Sequence, residues 1–342
     1  MYYRLDGLAG FRQRVAELEQ RLAQNRSRRI LSRSLSSRDP GAIRPTRDGD
    51  AASVQEIFRT AGVEGWVHTQ CVDCGAQAGT RADEPVVLAS VVKVPLVLEF
   101  ARQVVAGQLD PADRVRARAA DRLGGVGTAG CTDDVELSLR DAAYFALTVS
   151  DNTAADLLFD RVGLDNVRSL LRELGLTATR VVGPPRAVVQ SMAEDIGAAD
   201  AAEFARRFPA LNAEQVLRTR ALDPRRTTAS TPREMVRLLT LIARDQAGAP
   251  EACRWVRDLM RQQVNWYRLA AAFPPEVGVW AKTGTLPGVR NEIGVVEYPD
   301  RKRYAVAIFT RAATLTQRLP EVDRAIGAAA VEAIGRIVHG LP

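Results

Sequence analysis

The pattern that most narrows the fold is a split in periodicity. Strand-like alternation lies towards the two ends of the chain, and helical spacing fills the middle. Residues 65–70 alternate and turn residues follow at 73–79, but the next alternating stretches come only at 278–283, 291–298 and 303–310. Between them, residues 137–148, 153–161, 164–174, 232–244 and 252–264 carry the three-and-four spacing of helices, and a last helix is predicted over 320–338. Strands so far apart in sequence bury both faces most simply in one sheet completed by both ends, with the intervening helices set aside as a lobe. The expected class is α/β of the α+β kind: an antiparallel sheet formed by both chain ends with flanking helices, plus an all-helical lobe over about residues 108–250. A cleft between two such lobes is a natural ligand site.

Residues 51–342 read as one domain, and residues 1–50 as an N-terminal helix and flexible linker. Leu8, Phe11, Val15, Leu18 and Leu22 form an apolar seam of about two heptads, too short for a stable coiled coil alone. Packing on the body of the protein is expected, and a homodimer through residues 1–25 is the other arrangement such a seam allows. Residues 25–50 are rich in Arg, Ser, Pro and Gly, as linkers are.

The 47 basic residues are scattered among 41 acidic ones, which describes a solvated mixed surface, so no nucleic acid is expected as a partner. Met1 to Gly10 has no apolar core of signal-peptide length, and no later stretch is apolar enough to span a bilayer. The expectation is a cytoplasmic protein with no membrane partner. Cys71-Val72-Asp73-Cys74 has zinc-knuckle spacing, but a tetrahedral site needs two more ligands. Cys131 and Cys253 are isolated, and the histidines are His68 and His339. No metal and no cofactor is expected, and Cys71 and Cys74 read as small residues in or beside a hairpin.

Chemistry enters with Ser90-Val91-Val92-Lys93, which sets a hydroxyl one helical turn before an amine. A lysine beside a serine is a candidate base for making it a nucleophile. Only Lys93, Lys282 and Lys302 among the 47 basic residues are lysines. Arginine stays protonated at any working pH, whereas a buried lysine can lose its proton, so a lysine kept in an arginine-rich chain suggests amine chemistry. Two further motifs follow in order, Ser150-Asp151-Asn152 and Lys282-Thr283-Gly284. A Ser-x-x-Lys alone arises by chance about once in such a chain, and a given tripeptide in roughly a few per cent of them. Taken singly, Ser90 and Ser150 also suit helix caps, Asn152 a turn and Thr283 a strand.

Together the three motifs resemble the signature of class A β-lactamases and penicillin-binding proteins. The resemblance extends to Arg81-Ala82-Asp83-Glu84, Asp151-Asn152-Thr153-Ala154-Ala155, Asp223-Pro224, Thr227-Thr228, Thr231-Pro232 and Asn291-Glu292-Ile293-Gly294, and so covers roughly residues 51–338. It implies a β-lactamase/transpeptidase-like fold and an active-site serine hydrolase. Ser90 would form an acyl-enzyme, Lys93 would take its proton, and Ser150 would relay a proton between Lys282, Lys93 and the leaving nitrogen. The N–H groups of Ser90 and Thr285 would make the oxyanion hole. Asn152 would bind a substrate amide, and Lys282, Thr283, Gly284 and Thr285 would line the carboxylate subsite. The implied partner is a small molecule with a carboxylate and an amide or ester carbonyl.

The resemblance breaks at deacylation. Class A enzymes place a glutamate in the loop after Ser-Asp-Asn to activate water. Here Gly183-Pro184-Pro185-Arg186 falls at its place, and in Arg207-Phe208-Pro209-Ala210-Leu211-Asn212 a phenylalanine stands where the acid belongs. Residues 181–222 contain Glu194, Asp195, Glu203 and Glu214 as candidate replacements, with an inserted helix bearing surface charges as the commoner outcome. The expectation is a serine acyl-enzyme with impaired or atypical deacylation. A transacylase or esterase, a β-lactamase with a relocated base and a non-catalytic ligand-binding homologue are the alternatives.

Overall fold

A computed structural model describes residues 53–199, 201–316 and 318–340. The N-terminal helix, the linker and the dimer seam expected in residues 1–50 lie outside the described residues.

Helix α1 (Val54–Thr60) starts at Ser53, whose hydroxyl accepts from the Glu56 N–H. Strand β1 (Val63–Cys71) turns through Gly75 into β2 (Gln77–Thr80), so Cys71 and Cys74 sit in the hairpin as expected. After β3 (Val86–Val87) comes a single 3-10 turn, Ala89–Val92, leading into α2 (Lys93–Val105). The second lobe holds a two-stranded ribbon, β4 (Arg114–Ala117) with β5 (Val135–Ser138). It continues with α3 (Leu139–Thr148), α4 (Asn152–Val162), α5 (Leu164–Glu173), α6 (Pro185–Asp195), α7 (Ala201–Arg207) and α8 (Ala213–Leu217). Strand β6 (Ala229–Ser230) pairs with β3, and α9 (Pro232–Ala243) and α10 (Pro250–Arg261) lead back to the main sheet. That sheet is finished by β7 (Gly278–Leu286), β8 (Val289–Glu297) and β9 (Arg303–Ala312), and α11 (Pro320–His339) follows.

The five strands lie in the order β2-β1-β9-β8-β7, antiparallel throughout, so the early hairpin joins the late strands as the two-ended alternation predicts. The ribbon is a strand pair within the lobe that helical spacing alone does not foresee. Both faces of the sheet are covered. Ala305, Ala307 and Phe309 point into a core shared with α2, α3, α9 and α10, while Tyr304, Val306 and Ile308 point into a second core with α1 and α11. Helix α2 is deeply buried over most of its length, with Val94, Leu96, Val97, Leu98, Phe100 and Ala101 fully enclosed, and Glu99 and Arg102 mark its partly exposed side. Each of these side chains apart from Ala101 contributes roughly 1.5–3 kcal/mol of burial. The helix that starts at Lys93 is therefore among the most firmly held parts of the molecule.

Candidate active site

The nucleophile candidate sits on strained backbone. Ala89, just before Ser90, has φ +51, and Ser150 has φ +64, both in the left-handed region that non-glycine residues avoid. Each such residue costs on the order of 1–3 kcal/mol and persists only where its surroundings fix it. At Ala89 the surroundings are plain. The Asn291 amide donates to the Val87 carbonyl at 2.8 Å and the Leu88 carbonyl at 3.4 Å, tying the turn to β8. Gly284 of β7 lets the turn come close: a Cβ there would fall 2.6 Å from the Leu88 oxygen. Ser90 and Thr285 thereby line one cavity.

At Ser150 the positive φ turns the backbone so that carbonyl and hydroxyl face the same amine. Lys93 Nζ lies 2.7 Å from the Ser150 carbonyl, 3.3 Å from its hydroxyl and 2.7 Å from Asn152 Oδ1. Asp151 between them is fully buried and structural: it caps α4 through the Ala154 N–H and accepts from the N–H and hydroxyl of Thr128. From the other side Lys282 Nζ donates to Ser150 Oγ at 2.9 Å and to the Thr283 carbonyl at 2.8 Å. Ser150 Oγ is thus held between two amines. Ser90 and Lys93 face the same cavity, but the lysine's three contacts all go to Ser150 and Asn152, and none to Ser90 Oγ.

Both amines are fully buried. Desolvation pulls Lys93 down to about 7, opposed by the charges of Asp151 and Asp156. Lys282 is held well below the usual lysine range, first by burial and then by the charge of Lys93. An amine that is half neutral near pH 7 can accept a proton, as an exposed lysine cannot.

Behind β7 stands a support that the three motifs do not reveal. Gln263 Oε1 accepts from the Thr283 N–H at 2.6 Å, and its amide donates to Glu292 Oε1 at 2.8 Å. Glu292 also accepts from the Leu269 N–H, and burial raises its carboxyl. Asn265 donates to the Thr283 hydroxyl. Arg268, only 2% exposed, pairs with Asp323 and donates to the Asn291 and Gly284 carbonyls and to Thr285 Oγ1 at 3.0 Å. The helix expected over residues 252–264 stops at Arg261 because Gln263 leaves the helical path to meet this network.

None of the four candidate replacement acids lines the cavity. Glu194 and Asp195 both clamp Arg220, Glu203 pairs with Arg207, and Glu214 pairs with Arg218. What faces Ser90 instead is α6. Pro185, Val188, Val189 and Met192 stand at i, i+3, i+4 and i+7 of that helix and line the cavity with Gly183. The helix is anchored to α4 by Arg186, which donates from its backbone N–H and its side chain to Asp156, and from its side chain to Asp160. Asp156 is buried, and desolvation raises its carboxyl to about 6 against the pull of Arg186. Its partners are Arg186's groups, and it does not line the cavity. The spacing of Val188, Val189 and Met192 was the signal in the sequence, hidden because Gly183-Pro184-Pro185 reads as loop.

Buried amines, left-handed backbone at Ala89 and Ser150, and a glycine-permitted contact at Gly284 are thus combined in one site. The sequence model described as the beta-lactamase enzyme family matches residues 51–340. The chain belongs to that family. Among curated proteins it is similar to the beta-lactamase regulatory protein BlaB of Streptomyces cacaoi, 29% identical over 273 residues that cover 75% of this chain and 87% of that one. Among solved structures, the beta-lactamase of Sphaerobacter thermophilus is 25% identical with a TM-score of 0.67, covering 86% of this chain and 99% of its own. PBP-A is 21% identical with a TM-score of 0.64, covering 83% and 96%, and shows the same fold. The chain is thus a beta-lactamase-family protein of the serine-hydrolase kind, with the β-lactamase/transpeptidase-like fold. Among the described residues no helix is long and apolar enough to cross a membrane.

Proposed function

We propose that this beta-lactamase-family protein forms an acyl-enzyme at Ser90 and releases the acyl group slowly. The observation that carries the reading is the contrast within one cavity: Ser90 shares it with the buried amine of Lys93, which Ser150 links to Lys282, and with the apolar face of α6.

Protonated, Lys93 offers three N–H donors to its three oxygen contacts. Neutral, it keeps the two contacts at 2.7 Å, and a lone pair is free in place of the longer 3.3 Å one. With substrate bound, the amine turns that lone pair to the cavity it shares with Ser90 and takes the Ser90 proton as Ser90 Oγ attacks the substrate carbonyl carbon. The C–N or C–O bond to the leaving atom breaks, and the proton taken by Lys93 passes through Ser150, which Lys282 holds in line, to the leaving atom. The N–H groups of Ser90 and Thr285 take the oxyanion. Lys282, Thr283 and Thr285 hold a substrate carboxylate, with Arg268 orienting the Thr285 hydroxyl. Asn152 takes the substrate amide while its Oδ1 keeps Lys93 in place.

Hydrolysis of the ester needs a base for water, and Pro185, Val188, Val189 and Met192 offer none. The acyl group then waits for a better acceptor than water, as in a transacylase, or persists as a signal. BlaB is named a regulatory protein, which favours sensing as the second reading. A fluorophosphonate probe is expected to label the wild type and not Ser90→Ala, and equal labelling of both would refute the nucleophile assignment.

A further inference from the structure

The face of α6 turned to Ser90 does more than leave a base out. We infer that it forms a binding subsite for an apolar acyl group, so that the substrates are esters or amides of aliphatic or aryl carboxylic acids; this rests on the acyl-enzyme reading above.

The cavity, about 100 Å³, runs from Ser90 to this helix. Besides Ser90, Lys93 and Asn152 at the reacting end, its wall is Val87, Ala89 and Val92 below, Leu286 at the β7 end, and the four α6 side chains with Gly183 opposite. Thr227, Thr228 and Thr285 add hydroxyls, and among the described residues Lys93 is the one charged group lining it. An anionic acyl group placed against Val188, Val189 and Met192 loses its hydration with nothing to replace it, whereas a hydrocarbon group gains by burial.

The helix presents this face by construction. Its polar residues point elsewhere: Glu194 and Asp195 hold Arg220, and Arg220 also donates to the Ser191 carbonyl. At the other end Pro185 starts the helix, and Arg186 fastens it to Asp156 and Asp160 of α4, the helix that carries Asn152. With both ends tied, the apolar face cannot roll away from Ser90 without breaking ion pairs. The carboxylate and leaving group belong to the β7 side, with Lys282 and Thr283. The side towards α6 is left for the acyl portion.

The step tested is acylation: Ser90 Oγ bonds to the acyl carbon, the ester C–O bond breaks, and p-nitrophenolate leaves. The full-length protein is mixed with p-nitrophenyl butyrate and with the p-nitrophenyl half-ester of succinic acid, of equal carbon number but anionic. The burst of p-nitrophenolate reports the rate. Burst rates are expected to favour butyryl by about tenfold or more. Val188→Lys is expected to reverse the preference, and Met192→Lys serves the same purpose should the first variant lose its circular dichroism signature. Equal burst rates for the two esters, with fluorophosphonate still labelling Ser90, overturn the subsite and leave the acyl-enzyme reading standing. No burst and no labelling overturn both.

Discussion

Replacing Lys93 by methionine tests whether the buried amine has the basicity the chemistry needs. Burial moves this lysine from 10.5 to about 7, which corresponds to a penalty of about 5 kcal/mol on folding with the amine charged. The penalty is complete below pH 7, where folded and unfolded chains both carry the proton. Between about 7 and 10.5 the unfolded chain binds the proton and the folded one does not, so stability rises with pH by about 1.4 kcal/mol per unit. Lys93→Met has no such dependence. It does leave the Ser150 carbonyl and Asn152 Oδ1 without their donor, at roughly 1–3 kcal/mol each, but this loss is the same at every pH. Without its like-charged neighbour, Lys282 holds its proton to higher pH, which adds to the difference with the same sign. Urea unfolding of both proteins from pH 6 to 9 should therefore give a stability difference that is flat below about 7 and climbs in favour of the wild type by about 2–3 kcal/mol up to pH 9. A flat difference across the whole range would mean that the amine stays protonated, and that Lys93 is not the base.

Two further substitutions probe the site. Met192→Glu puts a carboxylate on the α6 face towards Ser90 and should shorten the life of the acyl adduct by about 10²–10⁴-fold, read by intact-mass time courses; an unchanged lifetime in a folded variant would place the deacylation block elsewhere. Gly284→Ala would set a methyl 2.6 Å from the Leu88 oxygen and push the Ser90 turn off β7, so acylation should fall by about 10²-fold in stopped-flow labelling, and a wild-type rate would show that the close contact is not needed.

Much of the framework was legible because its signals are local or strictly periodic. The alternation at residues 291–298 and 303–310 gave β8 and β9, and the two-ended pattern gave the sheet. Ser90, Lys93, Ser150 and Lys282 could be named from short motifs; the structure joins Lys93, Ser150 and Lys282 by hydrogen bonds, and Ser90 lines a cavity with Lys93. The supports are a different matter. Gln263 follows a helical stretch in sequence, and only the fold shows its amide joining Thr283 to Glu292. Arg268 is one of many arginines until Asp323 and Thr285 are seen beside it. Sequence also posed the question of Glu194, Asp195, Glu203 and Glu214 without being able to answer it, because a charge says nothing of its direction. Their arginine partners answer it: each is held in an ion pair away from the cavity.

The lifetime of the acyl-enzyme tests the account most directly. The wild type and Ser90→Ala are mixed with penicillin G and sampled by intact-mass spectrometry from seconds to hours. The account predicts an adduct of one penicilloyl group on the wild type that persists through the time course, and none on Ser90→Ala. Return of the wild type to its free mass within seconds, with the drug hydrolysed, would contradict it, since a base for water would then be at work where the structure places Val188, Val189 and Met192.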